Sequence, residues 1–388
     1  MQSKSPPRAV LFTQQVLGPG ARKTGMIFWA EALARRGYAC DVVTTQLSWL
    51  SRVVGNPRLK ALPRDRLNRW RDVGARLRGF IWVPPLHPAT VRGRRLARLT
   101  AHAFALYPWF LPATIRRAVA EADLVVIESC AAVLLFDRLK RIARPGTRFV
   151  YCGSDRLGAV DMHPMLAEAL ARTAAGYDLL RVPAQAMLAD FPPNAPAMFI
   201  PHGIDRATFA TIRPNPIVGP GRHAVVAGDM LFDHGSFAMM LDALPDVSFH
   251  AFGRMALGDL ERRPNLRMHG EVPFETLIGW LQHADIGIAP YLDRPEAHYL
   301  AQSSLKLIQY RHCRLPSLAP HFAASAHGNV CGYEPGDASS IRRACMAALA
   351  MPRESIATGD IADWDMVIDR MLAATAGDDA GIVPALPG

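Results

Sequence analysis

The sequence predicts an α/β protein of two Rossmann-like domains with parallel sheets facing a central cleft. Three observations predict it. Short apolar runs without in/out alternation recur along the chain with helical stretches between them, the pattern of strands buried on both faces of a parallel sheet. At 388 residues the chain exceeds one ordinary core and suits two domains of roughly 150–200 residues each. A Pro/Gly-rich run at residues 211–221 interrupts the pattern, which then restarts.

In chain order, residues 9–12 (Ala-Val-Leu-Phe) read as the first strand, followed by a loop and a helix from about Met26 to Arg36. Strands are expected at 41–44, 80–83, 124–127, 148–151 and 198–201, which complete the first half. The second half continues with 223–226, 247–252, 266–269 and 286–289. After the last of these comes a loop and a helix that opens Ser303-Ser304-Leu305-Lys306. The expected domains are residues 1–210 and 211–388, with a final helix near 361–374 packing back on the first domain.

Composition narrows the function classes. No run of about 18 or more uninterrupted apolar residues is present, which argues against a membrane-spanning helix. The start, Met1 to Arg8, leads directly into a strand and has no signal-peptide apolar region. The six cysteines are scattered without zinc-type spacing and read as reduced thiols of a cytoplasmic protein. The net charge of +10 is uneven: residues 1–120 hold 21 Lys/Arg against 4 Asp/Glu. Such a basic half suits a large polyanion, either a membrane surface or a nucleic acid. Arg52, Arg58, Lys60, Arg64, Arg66, Arg69, Arg71, Arg76 and Arg78 crowd one region. Arg92, Arg94, Arg95 and Arg98 then open a helix that turns apolar through Phe104, Leu106, Tyr107, Trp109, Phe110 and Leu111. Basic residues beside Trp, Phe and Leu meet the needs of an interfacial anchor on anionic lipid. The competing reading is a solvated basic surface with those aromatics in the core. No nucleic-acid recognition motif accompanies the charge, so no nucleic-acid partner is expected.

Several constellations can carry chemistry. A helix N-terminus offers unpaired N–H groups and the positive end of a dipole, which suit a diphosphate. Lys306 would add a mobile charge and Tyr291 would line the adjacent pocket; the alternative is an N-cap with a solvated lysine. Asp155 follows a buried strand, where α/β domains place working residues, and reads equally as a proton acceptor or as a turn cap. Glu271 is a ribose or base contact, or an ordinary loop glutamate. His202, in Pro201-His202-Gly203, would reach the cleft or serve the structure. Gly18 to Thr24 is similar to a phosphate-binding loop, and Glu128 ends a strand like its acidic companion. Arg22 stands where that motif needs glycine, so Arg22 and Lys23 read as a basic rim. Asp363-Trp364-Asp365 looks like a metal-binding Asp-x-Asp, but its place at a helix start favours capping. Gly-x-Gly-x-x-Gly is absent, which counts against a dehydrogenase.

With these residues in place the chain resembles the GumK family of glucuronosyltransferases, glycosyltransferase family 70. The matching segments, in order, are Val126-Ile127-Glu128-Ser129, Tyr151 with Ser154-Asp155, His202 to Asp205, Gly228 to Asp233, Gly270-Glu271, Gly287 to Tyr291 and Ser303 to Tyr310. The resemblance implies a GT-B fold with an acceptor-binding first domain and a donor-binding second domain. It also implies inverting transfer of glucuronate from UDP-glucuronate to a mannose of a polyprenyl-diphosphate-linked oligosaccharide, at the cytoplasmic membrane face. Asp155 matches the family's base, and Met230, Glu271, Tyr291, Ser304, Leu305, Lys306 and Gln309 match its nucleotide-sugar site. Glu128, His202, Arg22 and Lys23 are candidates for the acceptor side or the cleft rim. No cofactor and no metal ion are expected, Lys306 standing in for one. Departures occur where Cys152-Gly153-Ser154-Asp155-Arg156 replaces the family's Arg-Ala-Ser-Asp-Gly, where Leu305 replaces methionine, and in the loop at 14–25. These bear on the acceptor. The rival readings are a GT-B enzyme with another UDP-sugar, a nucleotide hydrolase, and a non-catalytic lipid- or nucleic-acid-binding module.

Overall fold

A computed structural model describes residues 5–18, 23–53, 55–60, 62–91, 93–158, 162–324 and 327–377. They form two compact units. The first contains residues 5–18 and 23–200 and takes back the helix Trp364–Ala376; the second is Pro201–Asp363.

The first unit is built on eight strands: β1 (Arg8–Thr13), β2 (Ala39–Thr44), β3 (Trp70–Gly74), β4 (Leu77–Ile81), β5 (Leu124–Glu128), β6 (Arg148–Cys152), β7 (Leu179–Val182) and β8 (Ala197–Phe199). Their order is β3-β4-β2-β1-β5-β6-β7-β8. All pairs are parallel except β3 with β4. Phe12, Val125, Ile127 and Phe149 have no exposed surface and join the core. Because Phe12 pairs with Ile127, and Glu128 with Cys152, β1, β5 and β6 end side by side. The helix Trp364–Ala376 joins this unit through Trp364, stacked on Phe28 at 5.6 Å. Asp365 also meets Arg35 at 3.0 Å and Arg36 at 2.6 Å, while Asp369 meets Arg36 at 2.6 Å.

The second unit has β9 (Arg222–Ala227), β10 (Val247–Phe252), β11 (Leu266–Gly270), β12 (Ile286–Ile288), β13 (Ser317–Pro320) and β14 (Val330–Tyr333). The order is β11-β10-β9-β12-β13-β14, parallel throughout. Phe237, Phe249, Ile286 and Ile341 are wholly buried between this sheet and its helices. The helix Leu305–His312 lies unusually close to β12, because Tyr310 rests on Gly287. A Cβ at Gly287 would come within 2.5 Å of the Tyr310 ring. The Tyr310 hydroxyl sits 3.3 Å from the carbonyls of Val225 and Ile288 and accepts the Ala227 N–H. The Pro/Gly-rich run 211–221 lies within this unit, held where Arg213 N–H donates to Gln282 Oε1 (2.9 Å) and His283 Nε2 meets the Arg213 carbonyl (2.8 Å).

The basic segment divides between the core and the surface. Phe104, Tyr107 and Leu111 are buried in the first unit, as the solvated-surface reading required. Leu96, Leu99, Leu106 and Trp109 are exposed on and just beyond the helix Arg94–Phe104, beside exposed Arg95 and Arg98. Part of the arginine cluster is paired: Arg78 meets Asp41 at 2.5 Å, Arg71 meets Asp65, and Arg58 donates to the Gln14 carbonyl.

Candidate active site

In the second unit, β12 leads to Pro290 and Tyr291, a short loop, and the N-cap Ser304. The Ser304 hydroxyl accepts the Leu307 N–H at 3.2 Å, the ordinary work of an N-cap. It is also 2.6 Å from the Tyr291 hydroxyl, so the cap is tied to the strand end. Lys306 lies on the first turn, its ammonium 5.1 Å from the Tyr291 ring centroid and donating to the Gly228 carbonyl at 3.3 Å. Tyr291, Ser304 and Lys306 are therefore brought together with the end of β9. Leu305 opens the same helix, and Gln309, one turn on, is buried.

Gly228, Gly253 and Gly270 follow or end the adjacent strands β9, β10 and β11 with φ of 80°, 122° and 67°. Side chains rarely adopt such backbone, and glycine there leaves the strand ends open to a ligand. Beyond Gly228 the loop is pinned: Asp233 N–H donates to the Pro290 carbonyl and Leu292 N–H to Leu231, both at 2.7 Å. Leu231 itself has φ of 50°, a strained value for a residue with a branched side chain. Met230 is exposed on this loop. Glu271 follows Gly270, and its Oε2 accepts from both Nε and Nη2 of Arg254 at 2.7 Å. Arg254, the residue after Gly253, was not singled out from sequence. Its signal is local: a cation after a strand-ending glycine, one strand from a candidate carboxylate.

In the first unit, Asp155 lies past β6 in the loop that begins at Gly153. The Ser129 hydroxyl accepts the N–H groups of Ser154 (2.9 Å) and Asp155 (3.1 Å). Gly153 is hemmed in, since a Cβ there would lie 3.1 Å from the Arg181 carbonyl and 3.3 Å from the Tyr151 ring. Arg181, wholly buried on β7, donates to the Gly153 carbonyl at 3.3 Å and receives the Gly153 N–H at 2.8 Å. Burial pushes the Arg181 pKa down. Arg156 is turned to Asp190 at 2.8 Å. Glu128, expected at an acceptor rim, is instead wholly buried at the end of β5, because Thr13, Gln14, Gln15 and Ser154 all donate to it.

The remaining candidates are placed as follows. His202 is buried, and Lys23 pairs with Glu31 at 2.9 Å. Arg22 lies outside the described residues. The carboxylates of Asp363-Trp364-Asp365 are engaged: Asp363 accepts the Arg206 N–H, and Asp365 holds Arg35 and Arg36. His223, His250 and His269 form a chain across β9–β11, with ring nitrogens 3.0 and 2.9 Å apart. Burial pushes the His250 pKa down to about 4, with both neighbouring histidines adding to the shift. Their nitrogens point at one another, and among the described residues no group of three His, Cys, Asp or Glu is arranged to hold a metal ion.

Residues 11–183 match the family described as glucuronosyltransferase GumK, N-terminal domain. The chain is 30% identical over 370 residues to the UDP-glucuronate:glycolipid 2-beta-glucuronosyltransferase of Xanthomonas campestris pv. campestris, covering 94% of this chain and 90% of that protein. The chain belongs to the GumK family of glycosyltransferases. Its fold is GT-B, shared with solved structures of low identity. The UDP-forming α,α-trehalose-phosphate synthase of Burkholderia xenovorans superposes with a TM-score of 0.58 at 13% identity, covering 95% of this chain and all of that one. AviGT4, a glycosyltransferase involved in avilamycin A biosynthesis, gives 0.54 at 13% identity, covering 96% and 97%. At such identities these two attest the fold alone; the GumK match attests the family.

Proposed function

We propose that this GumK-family protein transfers glucuronate from UDP-glucuronate to a mannose of a polyprenyl-diphosphate-linked oligosaccharide, with inversion, as a step of exopolysaccharide assembly. The observation that carries the reading is the cluster of Lys306, Ser304 and Tyr291 at a helix N-terminus beside glycine-ended strands. An ammonium and a helix N-terminus favour a diphosphate, and they stabilise most where negative charge grows as UDP leaves. Met230 and Glu271, on neighbouring strand ends, serve the nucleoside, and Leu305 and Gln309 complete the donor site.

Asp155 acts as the base. It removes a proton from the acceptor hydroxyl as that oxygen attacks the anomeric carbon from the side opposite UDP, and this single displacement inverts the centre. No metal is assigned a role, since Lys306 and the helix N-terminus supply the positive charge. A lipid-linked acceptor places the reaction at a membrane surface, the cytoplasmic face in this reading. The exposed Leu96, Leu99, Leu106 and Trp109 beside Arg95 and Arg98 support that placement. No helix among the described residues is long and apolar enough to cross a membrane.

The test is Asp155→Asn in the full chain, assayed by mass spectrometry of a synthetic mannose-ended polyprenyl-diphosphate oligosaccharide against a panel of UDP-sugars. UDP-glucuronate is the expected donor for the wild type. The variant is expected to lose at least about a hundredfold in turnover, within the range ascribed to a positioned proton acceptor, while binding UDP as before. Retained turnover would remove Asp155 from the role, and preference for another UDP-sugar would reassign the donor.

A further inference from the structure

We propose that Glu128 is a positioning residue for the reaction: a buried carboxylate that fastens the Asp155 loop to the ends of β1 and β5. The inference rests on the reading of Asp155 as base. Glu128 has no exposed surface. Its Oε2 accepts from the Thr13 hydroxyl (2.5 Å) and the Gln14 N–H (3.0 Å), and its Oε1 from the Ser154 hydroxyl (2.9 Å) and Gln15 Nε2 (3.4 Å). The Thr13 oxygen meanwhile accepts the Gln15 N–H at 3.1 Å, so its proton is aimed at Glu128.

Four donors converge on the two carboxyl oxygens, which fills the acceptor capacity of the group. Burial, helped by the charge of Asp155, holds the Glu128 pKa above the ordinary carboxylate range, and the hydrogen bonds from Thr13, Gln14 and Ser154 offset only part of that rise. Among the described residues no Lys or Arg pairs with it. A buried carboxyl group held only by neutral donors is a poor way to stabilise a strand end, where an apolar side chain of similar size serves as well or better. What such a group provides is geometry. Three donors belong to the segment that ends β1, and the fourth is Ser154, next to Asp155. The adjacent Ser129 takes the backbone N–H groups of Ser154 and Asp155. Glu128, the last residue of β5, and Ser129, the next residue, thus hold the Asp155 loop by the Ser154 side chain and by the main chain. Because a misplacement of about 1 Å can cost on the order of a hundredfold in rate, this fastening bears on turnover rather than on ligand affinity.

The experiment compares Glu128→Gln, Ser154→Ala and Asp155→Asn in the full chain, with UDP-glucuronate and the synthetic mannose-ended lipid-linked acceptor. Glutamine keeps the volume but presents an NH2 where donors converge. Glu128→Gln should lower kcat about 10- to 100-fold, with the KM of both substrates and the Kd for UDP within about twofold of wild type. Ser154→Ala, which removes one link and leaves the other three donors on Glu128, should lower kcat about 3- to 10-fold in the same pattern. Adding Glu128→Gln to Asp155→Asn should bring no further loss, because the two act as one unit. Wild-type kcat in a folded Glu128→Gln variant, or a loss confined to acceptor KM, would overturn the assignment. Should Glu128→Gln fail to fold, as judged by thermal melting, Ser154→Ala decides alone. Turnover retained by Asp155→Asn sinks the base reading itself, whereas a dead Asp155→Asn beside a fully active Glu128→Gln sinks only the positioning role.

Discussion

Arg254 changes what Glu271 can do. Both guanidinium contacts fall on Oε2, so Oε1 carries no partner among the described residues. A surface ion pair of this kind adds little to stability, a median of about 0–1 kcal/mol. In the donor site proposed above its use would be orientation: a carboxylate already aimed loses less freedom when it accepts hydrogen bonds from a vicinal diol. Arg254→Ala should therefore leave the melting temperature nearly unchanged while weakening UDP binding about 3- to 10-fold by titration calorimetry, a range that a lost orienting contact of about 1 kcal/mol gives. Combined with Glu271→Ala it should add nothing. An unaltered affinity would return Arg254 to the ordinary surface.

Among structural elements, the helix Leu305–His312 owes its position to one glycine. Tyr310 occupies the space a side chain at Gly287 would need, and its hydroxyl meets the backbone of β9 and β12. Gly287→Ala must push that helix away from the sheet. Overpacking of this kind costs about 1–3 kcal/mol, and the same shift carries Ser304 and Lys306 off Tyr291 and Gly228. Lower thermal stability together with weaker UDP binding is the expected outcome; a stable variant of normal affinity would show that the helix can slide without harm. Sequence reading places strands well where they are continuous apolar runs, such as Val125-Val126-Ile127. It passed over β7, because Arg181 stands inside its apolar run and looks like a surface charge until burial is known. It passed over β13 and β14, where Pro320 and Gly332 break the strand signal, and over β3, an exposed, polar edge strand antiparallel to its neighbour. Individual candidate residues are legible as candidates because they follow strand ends. Their partners Arg254, Ser129 and Thr13 are not, since pairing across strands depends on a register that one sequence does not display.

Across the whole molecule, charge is divided along the chain. Residues 1–120 carry a net +17 and the rest −7, while the exposed leucines and Trp109 accompany exposed arginines on the basic part. In the membrane placement proposed above, charge would draw the protein to anionic lipid over about a Debye length, and the apolar side chains would hold it there. The expected result is flotation with vesicles containing anionic lipid but not with zwitterionic ones, diminished by about 0.5 M salt, which screens such attraction. Leu99→Glu with Trp109→Glu should abolish it without altering the Kd for UDP. Binding indifferent to lipid charge and to both substitutions would move the membrane contact elsewhere.

Because the closing helix returns to the first unit, the backbone passes between the units twice, near residue 200 and again near residue 363. A fragment ending at the first passage lacks the indole that covers Phe28 and the acids that hold Arg35 and Arg36. Anyone seeking the amino-terminal half in isolation has to graft residues 364–376 onto it or supply them as a separate peptide.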